Sequence, residues 1–419
     1  VFTAKAFVLA TGSIGKSWKY TSNSWESVGD GHAMAIWAGA DAMDMEFVQF
    51  HPTGMVWPLS VRGILVTEGV RGDGGVLRNS EGERFMFDYV PPMFRAETAE
   101  TEEEADAWYE DHINYRRTPD LLPRDEVARA INSEVKAGRG SPHGGVYLDI
   151  ASRRTPEYIR RRLPSMYHQF MELAGVDITA EPMEVGPTCH YMMGGVRVDP
   201  ETQAATVPGL FAAGEVAAGM HGANRLGGNS LSDLIVFGRR AGLGAADYAE
   251  GRPGSPDVDA AEIASVIDEA FAPFGREGGP NPYDVQHELQ ETMQSLVGII
   301  RTGPELEEAL TKLEDLKQQT AKASVKGGRA YNPGWNLATD LPSMITTSIA
   351  VAQGALDRKE SRGGHTREDF PGPDPEMGKI NFVQHQTGSE RGFLAPIAIA
   401  AQPLPVMPEE LAELFEEGN

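Results

Sequence analysis

The sequence predicts an α/β protein: a parallel-sheet domain split by an inserted α+β unit and followed by a helical domain. Three observations carry this. Two short apolar runs that end in glycine turns, at 6–12 and 209–214, have the pattern of buried parallel strands feeding a turn. The stretch between them, over 47–183, is richer in prolines, charges and short strand-like segments. Beyond Gly251 the apolar residues recur at helical spacing.

In chain order, AFVLA at 6–10 leads into Thr11-Gly12, and GDGHAMAIWAGA from Gly29 sets Ala33, Ile36, Trp37 and Ala40 on one helical face. Asp30 stands at the start of that helix, where it either caps the helix or meets a ligand. Residues 1–46 form the first part of the sheet domain, 47–183 the inserted unit and 184–250 the return. In the return, VPGLFAAGEVA at 207–217 is a buried strand with Glu215 beyond its C-terminal end, and a glycine turn then leads to the next helix. That is the geometry of a nucleotide or flavin crevice.

The turn reads HGANRLGGNSLSDL from His221. Gly227 and Gly228 permit positive φ, Asn229 or Ser230 can cap the helix, and Ser230 with Asp233 has capping-box spacing. Arg225, taken alone, reads equally as a surface loop charge. After GRPGSPD at 251–257 comes the helical domain, to 371: Leu289, Met293, Leu296, Val297 and Ile300 keep helix spacing, as do Leu306, Leu310 and Leu313 after Gly303-Pro304. A third helix is expected over 341–356. The C-terminal tail, 372–419, shows little periodicity and is expected to wrap over a neighbour.

Composition bounds the function. The 419 residues, 41% apolar and 23% charged, suit a soluble protein of two or three domains. The 47 glycines follow no period and point to tight turns or close backbone approach to a ligand. A net charge of −24 with no compensating basic run argues against nucleic acid as a partner. Acidic density peaks over 97–111, read as a solvated excursion or short exposed helix. The single Cys189 excludes an internal disulfide and any cysteine-ligated cluster within the chain. Neither HxxxH nor HExxH occurs, so no metal site is expected. The apolar segment from Phe393 is broken by prolines and shorter than the roughly 20 residues of a spanning helix, so membrane contact is expected through a partner. The sequence opens without an initiator methionine or signal peptide and reads as the middle of a longer chain.

Polar groups beside glycines supply the candidate chemistry. QFHPTG at 49–54, LVTEGVRGDGG at 65–75 and TCHYMMGG at 188–195 lock histidines and a threonine in turns. Singly, His51 and His190 are as readily structural as catalytic. Together, His51, Thr67, His190 and Arg225 make a donor set suited to carboxylates, because arginine offers a bidentate fork and histidine or threonine adds directed hydrogen bonds.

These segments, with ATG at 10–12, GDG at 29–31, RDEVARA at 124–130, GLFAAGE at 209–215, HGANRLGGNSL at 221–231 and KESRGGHTREDFP at 359–371, occur in one order. In that order the sequence resembles the flavoprotein subunit of succinate dehydrogenase and fumarate reductase, from the first strand to about Pro371. The resemblance implies a partial FAD-binding, Rossmann-like domain with an inserted α+β capping domain and a C-terminal helical domain. It implies oxidation of succinate to fumarate, or the reverse, by hydride transfer to FAD. Arg225, His190, His51 and Thr67 are similar to the family's clamp on the substrate carboxylates. Arg124 matches its proton-transferring arginine, with Glu68 and Arg71 as the relay. Asp30, Glu215, Asn229, Ser230 and Leu231 match positions contacting FAD.

The resemblance further implies that electrons leave to an iron–sulfur protein subunit, that membrane-anchor subunits belong to the same complex, and that the chain sits peripherally at the cytoplasmic face of the membrane, or the matrix side in an organelle. No GxGxxG follows a strand here, so the phosphate-binding βαβ unit and the family's flavin-linked histidine are expected to lie before this sequence. Two departures, a long loop between His51 and Thr67 and the acidic insert before Arg124, bear on the fit of a substrate lid. Two other readings stand beside this one: L-aspartate oxidase, which shares the fold, and a flavin-free scaffold that docks an iron–sulfur subunit without catalysis.

Overall fold

A glycine in the left-handed region starts the first helix and another ends it. The computed structural model describes residues 2–254, 257–388 and 391–410. Strand β1 (Phe7–Leu9) leads to helix α1 (Asp30–Ala38), which begins at Gly29 (φ 85°) and stops at Gly39 (φ 96°), where the backbone must turn left-handed. Strands β2 (Ala42–Met43) and β3 (Val48–Met55) follow. The next stretch holds α2 (Gly69–Gly72), β4 (Val76–Arg78), α3 (Glu102–Trp108), α4 (Arg124–Lys136), β5 (Val146–Asp149), α5 (Pro156–Arg162), α6 (Pro164–Ala174) and β6 (Met183–Met192), and β6 runs past the boundary expected at 183 because it pairs with β3 and β5. Then come β7 (Gly195–Val196), β8 (Leu210–Ala212) and the long α7 (Asn229–Glu250). Helices α8 (Ala260–Phe271), α9 (Pro282–Leu296), α10 (Gly303–Thr320) and α11 (Pro333–Asp357) precede strands β9 (Ile380–Gln386) and β10 (Ile397–Pro403).

Three sheets result among the described residues. β1 pairs with β8 in parallel, which joins the two pieces of the sheet domain across the insertion. A second sheet runs β10-β9-β2-β7 and a third β3-β6-β5-β4, antiparallel throughout. Because β6 continues to Met192, the inserted unit's sheet leads the chain directly to β7. The site therefore forms where the inserted unit and the sheet domain meet.

Packing follows the apolar periodicity. Leu289, Met293 and Val297 meet Leu306, Leu313 and Leu316, and Leu341, Met344 and Ile345 of α11, around the buried Trp18. Thr302 caps α10, its hydroxyl accepting from the Glu305 N–H and donating to the Glu305 carboxylate, and Asn332 caps α11 through the Trp335 N–H. A separate core fills the inserted unit, where Val127 and Ile131 of α4 pack with Leu77, Leu148, Phe170 and Val185.

Several local expectations are corrected. Asp30 is inside α1 and Gly29 is the cap, with no side-chain cap bond. Likewise α7 starts from Gly228 (φ 86°) with no cap bond from Asn229 or Ser230, and Asp233 faces His221 instead of closing a capping box. Strand β1 is parallel but not buried, with Phe7 50% and Val8 43% exposed. Helix α11 starts eight residues earlier than expected, at Pro333 rather than 341, because the Asn332 cap and Pro333 set its first turn. In the tail, β9 and β10 form a hairpin that adds to β2. The acidic segment does contain a short helix, α3, capped by Thr101. Among the described residues no helix is long and apolar enough to cross a membrane.

Candidate active site

Strand β3 sets Gln49 and His51 two residues apart, which places both side chains on one face. Its partner β6 is not in simple register. Gln49 opposes Tyr191 and Phe50 opposes Cys189, so His190 is an extra residue, a β-bulge, on β6. A bulge re-aims the side chain it carries. His190 is thereby brought to His51, ring centroids 5.2 Å apart and interplanar angle 67°. Ser22 Oγ lies 2.8 Å from His190 Nδ1, and the Ser22 N–H is anchored on the Cys189 carbonyl at 2.9 Å. On the other ring, the Thr53 N–H donates to His51 Nδ1 at 3.2 Å.

Two arginines reach the same place from different elements. Arg124, the first residue of α4, and Arg225, in the turn before α7, both donate to Gln49 Oε1, at 3.3 Å from Arg124 Nη1 and 3.1 Å from Arg225 Nη2. Gln49 Nε2 in turn donates to the Arg225 carbonyl and to Asn224 Oδ1, each at 2.7 Å. Arg225 also donates from Nη1 to Ser230 Oγ (3.3 Å), and its guanidinium carbon stands 4.1 Å from the centre of the Tyr191 ring. Arg124 Nε donates to Glu68 Oε2 at 3.0 Å, and the fully buried Arg71 lies 3.9 Å from the same oxygen. Thr67 stands apart: it is exposed, and its hydroxyl accepts from the Gly69 N–H at 3.2 Å.

The electrostatics are those of an anion site. Burial, reinforced by Arg124 and Arg225, depresses His190 to about 3. Burial, then His190 and Arg124, holds His51 well below its ordinary value. Both imidazoles are therefore neutral donors at pH 7, and the guanidinium groups carry the charge. Burial opposes ionisation of Glu68, but Arg71 and Arg124 outweigh it and keep its carboxyl below the usual range.

Of the residues matched to FAD, Ser230 bonds Arg225 and Glu215 acts on its charge, while Asp30 lies beside Asp340. Glu215 Oε1 accepts from the Met192 N–H at 2.8 Å, while burial raises its pKa. Asn229, Ser230 and Leu231 form the first turn of the 22-residue α7, whose leading N–H groups have no side-chain cap. Arg225 Nε is buried without a partner. Asp30 is raised by burial, and Asp340 is pushed to about 6 by burial and then by Asp30. A helix N-terminus without a side-chain cap and a half-buried acceptor fit the carbonyl and imide groups of a flavin nucleotide, and the unpartnered Arg225 N–H is left for an anion beside it. No group of side chains among the described residues could hold a metal ion.

A mixed α/β fold with these donors beside a helix N-terminus that lacks a side-chain cap is that of a flavoprotein chain. The family profile "FAD binding domain" matches residues 1–231, and "Fumarate reductase flavoprotein C-term" matches 286–408. The chain belongs to the fumarate reductase and succinate dehydrogenase flavoprotein family, whose cofactor is FAD. It is 45% identical to one chain of the fumarate reductase (CoM/CoB) of Methanothermobacter marburgensis, over 90% of this chain and 63% of that protein. It is 36% identical to a fumarate reductase flavoprotein subunit of Mycobacterium tuberculosis over 96% and 67%. Among solved structures, Mycobacterium smegmatis Sdh1 in complex with UQ1 superposes with a TM-score of 0.83 at 56% identity, over 99% of this chain and 65% of that one. The chain thus spans less than two thirds of the length of the first of these relatives.

Sequence reasoning missed Gln49, Tyr191, Asn224 and Ser22. Gln49 and Tyr191 lie inside segments already singled out, and the period of two along β3 was the signal that pairs Gln49 with His51. Asn224 lies next to Arg225 in the singled-out glycine turn, whereas Ser22 has no local signal, because tertiary contact alone brings it in.

Proposed function

We propose that this chain is the catalytic part of a flavoprotein subunit that oxidises succinate to fumarate or runs the reverse reaction. The observation that carries it is the shared bond at Gln49, which aims Arg124 and Arg225 into the space beside His51 and His190. Arg225 supplies a charged fork for one carboxylate, and the two neutral imidazoles supply directed N–H donors. Thr67, two residues before the short α2, is read as a further donor. Held at both ends, a four-carbon diacid keeps its two central carbons in a fixed orientation, and fixed cations stabilise charge that builds on a carboxylate.

FAD, when bound, supplies the two-electron acceptor or donor. The proton of the neighbouring carbon falls to Arg124, whose Nε bond to Glu68 and closeness to Arg71 support a relay toward solvent. Arg124 in this role never rests neutral; it passes a proton while Glu68 compensates. Asp30, Glu215, Asn229, Ser230 and Leu231 hold the cofactor.

Electrons then pass to a separate iron–sulfur subunit, since the one cysteine, Cys189, is buried and burial raises its pKa. Relatives named as flavoprotein subunits of succinate dehydrogenase, and as quinol fumarate reductase, support a place in a complex with membrane-anchor subunits. The chain is read as peripheral at the cytoplasmic face of the membrane, or at the matrix face in an organelle.

Arg225→Ala in the full complex tests this. Flavin absorbance is expected to stay, while succinate-dependent dye reduction falls by about a hundredfold or more. Retained succinate turnover overturns the clamp, and turnover of aspartate in place of succinate would assign the site to L-aspartate oxidation.

A further inference from the structure

We propose that Tyr191, tied to a buried His221–Asp233 pair, is a positioning residue that fixes the plane of Arg225 for dicarboxylate capture. This rests on the reading of Arg225 as the carboxylate clamp. The turn that carries Arg225 lies between Gly222 (φ 54°) and Gly228 (φ 86°), and Gln49 holds its backbone at the Arg225 carbonyl. Its side chain makes two hydrogen bonds, to Gln49 and Ser230, and leaves Nε without a partner. A planar guanidinium so loosely tethered needs a surface against which to lie flat.

The Tyr191 ring is that surface, 4.1 Å from the guanidinium carbon. Tyr191 faces Gln49 across the β3–β6 pair, so the ring and the amide that hold Arg225 are set by one register. The phenol is itself fixed. Its oxygen lies 3.2 Å from His221 Nε2, and the two rings meet edge to face at 5.4 Å. His221 Nε2 is 3.5 Å from Asp233 Oδ2, with side chains 8% and 3% exposed. The Asp233 carboxylate is buried, with the His221 ring and the Tyr191 phenol as its ionisable neighbours. His221 opens the turn and Asp233 stands in α7 beyond it. The chain Tyr191–His221–Asp233 therefore closes the glycine turn from both sides and seats Arg225 between them.

The proposal is tested in the FAD-loaded complex with malonate, a dicarboxylate that does not react, by calorimetry, alongside succinate kinetics. Tyr191→Leu is expected to weaken malonate about tenfold and to raise the succinate KM by a similar factor, with kcat changed by less than about threefold and flavin absorbance unaltered. Tyr191→Phe keeps the ring but loses the His221 contact, and it is expected to fall between wild type and Tyr191→Leu; Asp233→Asn should match it. Malonate affinity at the wild-type level in Tyr191→Leu overturns the proposal, as does a kcat loss with no change in KM. Where Tyr191→Leu loses its flavin, wild-type malonate affinity in both Tyr191→Phe and Asp233→Asn overturns it equally. A wild-type complex that binds no malonate defeats the dicarboxylate reading itself, whereas wild type that binds and variants that bind equally defeat the positioning role alone.

Discussion

His51 and His190 meet edge to face, 5.2 Å between ring centres, on neighbouring strands far apart in sequence. Two imidazoles this close in a buried setting cannot both be protonated cations, and the charges of Arg124 and Arg225 press in the same direction. The pair is thus a source of N–H donors without charge. Charge and direction are supplied by different side chains, the two guanidinium groups and the two neutral imidazoles.

Gln49 is the joint of the two arginines, and its amide oxygen has no net charge. Gln49→Glu puts a carboxylate between Arg124 and Arg225, where it competes with the substrate for both forks. The succinate KM is expected to rise ten- to a hundredfold, about 1.4–2.8 kcal/mol of lost binding. Steady-state kinetics of the complex check it, and an unchanged KM removes Gln49 from the clamp.

Glu68 is held ionised by Arg71 and Arg124 against the cost of its burial. Glu68→Gln keeps the shape but removes the proton acceptor beside Arg124. The expected result is a kcat lower by about 10²–10⁴ with KM changed little. A raised KM with normal kcat would instead mark Glu68 as a structural anchor of α4.

His32 lies wholly buried in α1, neither ring nitrogen has a partner, and burial lowers its pKa to about 4. The unfolded chain takes up this proton near pH 6.5. The contribution of the neutral ring to stability is full above that pH and drains, at about 1.4 kcal/mol per pH unit, as pH falls toward 4. His32→Leu should therefore be at least as stable as wild type at pH 7, and its advantage should grow by about 1 kcal/mol at pH 5.5. Urea unfolding at the two pH values measures this; parallel behaviour of both proteins would count against an uncharged buried His32.

Arg358 joins the helical domain to the chain just before β3. Its side chain, 2% exposed, donates from Nε to Glu46 and from Nη1 to Glu360 (3.1 Å), both carboxylates fully buried. Arg358→Met leaves Glu46 buried without its cation and is expected to cost about 3–5 kcal/mol. Thermal unfolding of the variant checks it, and an unchanged Tm would show that the pair relaxes freely.

Much of this was legible in the sequence, for physical reasons that differ from element to element. The helices α9 and α10 announce themselves because one apolar face must be buried at a fixed period, with Gly303-Pro304 marking the break between them. The parallel pairing of β1 with β8 follows from apolar runs that end in glycine turns. What failed was mostly capping: Asn229, Ser230 and Asp30 have the right chemistry, but Gly228 and Gly29, free to take positive φ, do the turning. The hairpin of β9 and β10 was invisible because INFVQHQ and IAIAAQP reach their strand state only by pairing with β2. At the site, the glycine-flanked segments identified His51, His190 and Arg225. The aromatic ring beneath Arg225, and Ser22 behind His190, depend on register and tertiary contact that no local spacing encodes.

The bulge at His190 makes the β3–β6 pair intolerant of indels. Deleting a single residue there would shift the register of β6 against β3 and turn the side chains beyond the cut to the opposite face of the sheet, with the second irregularity between His51 and Gly54 still in place. Changes in chain length can therefore accumulate in the loops around this ribbon, while the ribbon itself admits substitution only.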